Sequence, residues 1–385
     1  ESEVIVEVYF TVGDSGYDVS INIMSDWNMI GLPVGLDDTQ YQIIFPNSIE
    51  NTLYSFGTTG YSSETELQFG TGYWLRFDGS ESVMISGIPI DDLSISLMEG
   101  WNMISGISNP IMVDYIMDPD NLIIPNTIYG FSETGYSISS ILNPGYGYWL
   151  RSSNEGEIQL SSSNRAKTRN TFENKLRDAH RILFNGAPLF FGVSIPENEE
   201  IHYSLPPRPP VGGFDARFTN NMLITENNGI IEVSNNKDML NITFNFNETI
   251  DNGLTWQFVN LKTGEHFTLS DNSTLELQGN EFQFLLKSVS ELPQIYILSQ
   301  NYPNPFNPET TISFGLPVDS ELNISVYNLL GQKISILTSG YFSAGFHTVT
   351  WNGISDKGMA ASAGVYLYTI ETDSYHDIRK MILMK

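Results

Sequence analysis

Acid–base chemistry near neutral pH would have to come from five histidines, His180, His202, His266, His347 and His376, and these are spread over almost 200 residues in three sequence contexts. None belongs to a His-Glu-x-x-His pair that would hold zinc on one helical face, and no Gly-x-Ser-x-Gly elbow raises a serine nucleophile. No glycine-rich loop ends in Lys-Ser or Lys-Thr, and no Gly-x-Gly-x-x-Gly sits between a strand and a helix, so the usual phosphate cradles are missing. The chain has no cysteine, which removes thiolate catalysis, disulfides and Cys-ligated metal sites together. With 45 Asp and Glu residues, carboxylate pairs of the glycoside-cleaving kind arise by accident, and the separation that defines them is spatial. No catalytic residue is assigned, and the chain is read as a non-enzyme. Calcium is the one cofactor left open. Asp114, Asp118 and Asp120, with Asn121, place oxygen ligands at even spacing, but the set lacks the glycine and the distal Glu of the calcium-binding loop. The expectation there is a solvated acidic turn and no metal.

A second set of residues suggests binding. Tyr73, Trp74 and Arg76 recur as Tyr148, Trp149 and Arg151. The reading preferred is structural, each Arg covering an indole or pairing with a local carboxylate while the strand packs its aromatics inward; the alternative is an aromatic and Arg platform for a sugar or peptide. Exposure of the four rings discriminates: an exposed planar pair means binding, buried rings mean a structural core. Charge narrows the partners further. Against 18 Lys and Arg the acidic residues leave a net charge of -27, which repels phosphate backbones and anionic headgroups, so no nucleic-acid partner is expected. No apolar run approaches the length of a transmembrane helix.

These residues sit in an internal repeat. Asp18-Val-Ser-Ile-Asn-Ile-Met-Ser-Asp-Trp27-Asn-Met-Ile-Gly31 returns 74 residues later as Asp92-Leu-Ser-Ile-Ser-Leu-Met-Glu-Gly-Trp101-Asn-Met-Ile-Ser105, and Gly72-Tyr-Trp-Leu-Arg76 returns as Gly147-Tyr-Trp-Leu-Arg151. Within each unit short runs alternate apolar and polar between Gly, Pro, Asn and Asp, the pattern of antiparallel strands with one wet face. Trp27 and Trp101 read as core anchors. The first 164 residues carry 22 acidic and two basic residues, so most of the charge lies on the repeats.

The composition then changes. Arg165, Lys167, Arg169, Lys175, Arg177 and Arg181 form a basic stretch, and Phe172, Leu176, Ala179 and Leu183 have the spacing of one short amphipathic helix; a strand over 180–184 is the alternative. Pro206 to Pro210 favours polyproline II and reads as a rigid crossover between strands, although ligands of aromatic grooves have the same composition. Further strand candidates up to Leu286 describe a sandwich. The fold expected is all-β: tandem small β domains followed by two β-sandwich, immunoglobulin-like domains. The boundaries are the end of a preceding module over 1–16, repeats over 17–90 and 91–163, a basic linker or short helix over 164–184, a sandwich over 185–292 and a C-terminal sandwich over 293–385. The strand-like opening, Val4 to Phe10, without Met or signal peptide, reads as a mature or cleaved fragment whose upstream part is missing.

The last 85 residues contain Tyr302-Pro-Asn-Pro-Phe-Asn-Pro308, Val326-Tyr-Asn-Leu-Leu-Gly-Gln332, Ala344-Gly345 with His347 and Trp351, Ala363-Gly-Val-Tyr366 and Arg379-Lys-Met381, closing on Lys385. This run of motifs resembles the type A C-terminal sorting domain of type IX secretion cargo, a domain similar in turn to the immunoglobulin-like domain of the flagellar hook-capping protein. The resemblance covers residues 298–385. It implies export from a Gram-negative bacterium of the Bacteroidetes type, recognition by the outer-membrane translocon, and secretion or attachment at the outer cell surface, in many members to lipopolysaccharide. Carried onto this chain, its motif residues are Asn304, Pro305, Gly331, Gly364, Arg379, Lys380 and Lys385. The ending Ile-Leu-Met-Lys departs conservatively from the usual Leu-Leu-Lys. The function expected is therefore a non-catalytic secreted or surface protein, or its C-terminal stalk; the alternatives are a carbohydrate- or peptide-binding adhesin module and the targeting and spacer region of a larger secreted enzyme.

Overall fold

The computed structural model describes residues 16–163, 172–247, 254–290, 293 and 295–384, and the chain divides into two compact units, the second comprising 251–255 and 288–385. The stretches 1–15 and 164–171, which include the expected N-terminal strand and much of the basic linker, lie outside the described residues, as does Lys385.

In each repeat the alternating strand is where the pattern places it. Tyr17–Ile23 pairs antiparallel with Glu81–Pro89, burying Val19, Ile21 and Ile23 and leaving Asp18, Ser20 and Asn22 wet. Asp92–Leu97 pairs in the same way with Gly156–Ser161 and buries Leu93, Ile95 and Leu97. A four-stranded sheet completes each repeat, in the order Asp26–Ile30, Tyr73–Phe77, Tyr54–Gly57, Gly60–Ser63 in the first and Gly100–Ser105, Gly147–Ser152, Tyr129–Ser132, Gly135–Ile138 in the second. The turn into that sheet takes a left-handed residue at equivalent positions, Asp26 at φ 75° and Gly100 at φ 92°. The Asn of each Trp-Asn-Met-Ile then closes the turn. Asn28 accepts the Met24 N–H at 2.9 Å and donates to the Met24 and Asp26 carbonyls; Asn102 does the same with Met98 and Gly100. A buried amide with its partners in place costs little, which accounts for a polar residue inside an apolar strand.

The two repeats meet reciprocally. Ile30 bridges Tyr146 and Thr71 bridges Ile104, while the Gly31 N–H donates to the Gly145 carbonyl and the Ser105 N–H to the Gly70 carbonyl, each at 3.0 Å. Equivalent positions exchange equivalent contacts, the signature of a two-fold pair, here within one chain. The glycine before each Tyr-Trp permits this approach: a Cβ on Gly72 would lie 2.6 Å from the Ile104 carbonyl oxygen, and one on Gly147 2.8 Å from that of Ile30.

From His180 onward the chain builds a sandwich of two five-stranded sheets. Its first hairpin, His180–Phe184 to Ala187–Phe191, turns at Asn185 and Gly186, both with positive φ, as a two-residue hairpin loop requires. That hairpin displaces the expected amphipathic helix over 172–183. Lys175–Arg177 is a single 3-10 turn, and residues 180–184 follow period two, with His180, Ile182 and Phe184 buried. The sandwich is not a separate body from the repeats, because Phe184, Phe191, Phe244, Phe258 and Phe284 share one continuous core with Trp27, Trp74 and Trp149.

The second unit is a smaller sandwich. A three-stranded sheet, Ile297–Leu298, Thr310–Leu316, Gly345–Trp351, faces a four-stranded sheet, Lys333–Phe342, Ser320–Asn328, Gly364–Thr372, His376–Leu383. Its own core contains Ile312, Phe314, Ile324, Trp351, Tyr368 and Met381. Among the described residues no helix is long and apolar enough to cross a membrane.

Candidate functional site

The rings expected to decide between binding and structure are interior. Tyr73 and Tyr148 are buried, and Trp74 and Trp149 have no exposed surface at all. The alternative of an exposed ligand platform is not formed by these rings: both indoles build the seam between the repeats. Trp74 stands edge-on to Phe131 of the other repeat at 4.7 Å, and Trp149 to Phe56 at 4.8 Å. Of the six residues, Arg76 and Arg151 keep partial exposure, each lying over a tryptophan of its own repeat, Trp27 at 5.8 Å and Trp101 at 5.7 Å; Trp27 is buried as a core anchor, whereas Trp101 is only half-buried.

The seam is lined with hydrogen-bond donors. Each buried indole donates to a tyrosine hydroxyl, Trp74 to Tyr61 and Trp149 to Tyr136, both at 3.2 Å. Each hydroxyl in turn donates a hydrogen bond to the proline-rich crossover, Tyr136 to the Pro207 carbonyl and Tyr61 to the Arg208 carbonyl, both at 2.7 Å. Burial pushes both phenols well above their ordinary pKa, so they remain donors at neutral pH. Trp27 donates to the Val211 carbonyl at 3.1 Å. At the other end Arg217, fully buried, gives one N–H to the Pro206 carbonyl at 2.8 Å and clamps both oxygens of Asp215 at 2.6 and 2.7 Å. Proline has no N–H, so a proline-rich strand offers carbonyls alone, and a wall of donors is its complement. The crossover expected from the sequence is thus also the ligand of an aromatic groove, within the chain itself. Sequence reasoning missed Arg217, Asp215 and both tyrosine hydroxyls; the only local signal was an Arg two residues from an Asp in a strand-like stretch.

Removing one hydroxyl should be costly out of proportion to its size. Tyr136→Phe leaves the Trp149 N–H and the Pro207 carbonyl without their partner in a dry seam, and a loss of about 1–3 kcal/mol in the first unit's stability is expected on urea denaturation. Tyr61→Phe should behave alike, and a loss below about 0.3 kcal/mol in both would mean that the seam admits water.

The acidic turn is used structurally. Both Asp118 oxygens accept backbone N–H groups, from Leu122 at 2.8 Å and Ile123 at 2.9 Å, and Asp114 lies in a 3-10 turn. Among the described residues no three His, Asp or Glu side chains converge as a metal site would need; Asp120 completes no such set.

In the second unit the proline-rich loop after Asn301 dresses the last strand. Buried Asn301 donates to the Pro303 carbonyl at 3.1 Å and to Thr310 at 2.9 Å, and its N–H donates to the Tyr368 hydroxyl. Asn304 accepts the Ile382 N–H at 3.0 Å; beyond Pro305, Phe306 donates to the Ile382 carbonyl and accepts the Met384 N–H. Gly331 takes φ 77° in the Asn328–Gln332 turn, and Gly364 opens the strand before the last. The Arg379 and Lys380 side chains are exposed, the former 3.6 Å from Asp377.

Residues 300–384 match the family described as the secretion system C-terminal sorting domain. This segment is a sorting domain, and it marks the chain as cargo of the type IX secretion system, exported to the cell surface or extracellular space of a bacterium of the Bacteroidetes type. A comparison with curated proteins finds no match. Among solved structures the chain is similar to dimeric latent PorU from Porphyromonas gingivalis, at 9% identity and a TM-score of 0.21, covering 96% of this chain and 30% of that one. It is also similar to PorZ, a surface component of the type IX secretion system of the same organism, at 11% identity and a TM-score of 0.19, covering 87% and 68%. Scores this low do not establish a shared fold.

Proposed function

We propose that the first unit is a non-catalytic, rigid surface module, a stalk that the sorting domain delivers. The observation that carries this reading is the burial of Trp74 and Trp149, whose indoles are used to join the repeats and to hold the internal proline-rich strand. The histidines support it too: His180 is buried, its pKa lowered by desolvation, with one ring nitrogen accepting the Asn247 N–H, while His202 stacks on Phe172. A continuous core between repeats and sandwich suits a spacer that must keep its shape outside the cell.

A glycan array probed with the full chain separates stalk from sugar-binding adhesin. The expected result is no saturable binding, with or without Ca²⁺. Binding of a defined oligosaccharide that Arg76→Ala or Arg151→Ala abolishes would replace the stalk by an adhesin.

A further inference from the structure

The two halves of the seam are not equally filled. In the first repeat the Trp27 N–H is taken by the Val211 carbonyl and Arg76 by Asp26 at 2.7 Å. In the second, Gly100 stands where Asp26 would be. Arg151 gives one N–H to the Ser204 hydroxyl at 2.7 Å, and its remaining donors and the Trp101 N–H have no acceptor among the described residues. Both side chains line an open groove of about 930 Å³ beside Pro206 and Pro207, with Glu197 and Glu200 exposed along it and no cation paired to either among the described residues.

We propose that this groove docks a second extended, proline-rich peptide carrying a basic side chain, supplied by a protein partner. The unused groups of the second repeat are donors whose equivalents in the first already hold main-chain or carboxylate oxygen. A ligand rich in carbonyls and poor in N–H groups is what such a site selects, and a proline-rich strand is that ligand. The chain's own 206–211 segment is the template, since four of its carbonyls are held by Arg217, Tyr136, Tyr61 and Trp27. That segment is committed to the seam and cannot also occupy the Trp101 side. Arg208, which also lines the groove, is already paired with Glu232 and Asp215, so Glu197 and Glu200, on a chain of net charge -27, draw a basic rather than an acidic peptide.

The test titrates the full chain with acetyl-Leu-Pro-Pro-Arg-Pro-Pro-Val-Gly-amide, the sequence of 205–212, while following tryptophan indole resonances. One saturable site is expected, with the Trp101 indole signal moving and those of Trp27, Trp74 and Trp149 staying. Trp101→Phe, which keeps a ring but removes the N–H, should weaken binding about fivefold, and Arg151→Gln about tenfold. Replacing the peptide's arginine by glutamate should weaken binding to the unaltered protein about tenfold or more, a readout independent of how any variant folds. No saturation up to about 5 mM peptide overturns the proposal. So does movement of the Trp27 signal in place of Trp101, which would mean invasion of the seam, or unchanged affinity in both variants.

Discussion

Deletion of residues 381–385 is expected to unfold the second unit and leave the first intact. The last strand, His376–Leu383, buries Met381 and Leu383 in the core and pairs along its whole length with Gly364–Thr372. Its outer edge is covered by Asn304 and Phe306, so the deletion also strips the partners of that loop. Loss of two buried side chains costs about 2–5 kcal/mol each, comparable with the whole stability of a domain this small. Thermal unfolding of the truncated chain should lack the second unit's transition that the full chain shows, and limited proteolysis should remove residues beyond 288 while sparing the repeats. A second transition surviving within about 4 °C of its original midpoint would show that the strand is dispensable.

Arg217→Ala should destabilise the first unit by about 3–5 kcal/mol, because it strands a buried carboxylate and a buried carbonyl in one step. Among the described residues Asp215 would keep only Arg208, 3.9 Å away and already paired with Glu232, and the Pro206 carbonyl would lose its donor. The companion double variant, Arg217→Met with Asp215→Leu, removes both charges and should recover part of the loss, since the interior no longer holds an unpaired ion. Urea denaturation resolves the two; a loss below about 1 kcal/mol in Arg217→Ala would mean that the pair does not hold the crossover.

What could be read in advance was what repeats locally. The Trp-Asn-Met-Ile and Gly-Tyr-Trp-Leu-Arg motifs recur because each fixes a turn or a close approach inside its own repeat, and the alternation of Val19, Ile21 and Ile23 reflects burial on one face. The seam was not legible. Its hydrogen bonds join Tyr61 to Arg208 and Trp27 to Val211, partners too far apart in sequence for any pattern to link, and a buried Tyr-Trp pair has the same letters as an exposed one. Residues 172–183 show a different failure. Leu176 and Ala179 are buried as helical spacing requires, but the Asn185-Gly186 turn imposes a hairpin, and tertiary pairing with Met239–Asn245 outweighs a short amphipathic period.

The central claim is that the second unit addresses whatever precedes it for export. Residues 293–385 fused behind a signal peptide and a fluorescent protein, and expressed in a host with a working type IX system, test it most directly, because the passenger has no route of its own across the outer membrane. The fusion should reach the cell surface or medium in the competent host and stay in the periplasm when the segment is omitted or the translocon is deleted. Periplasmic retention of the intact fusion, equal to that of the fusion lacking the segment, would contradict the account.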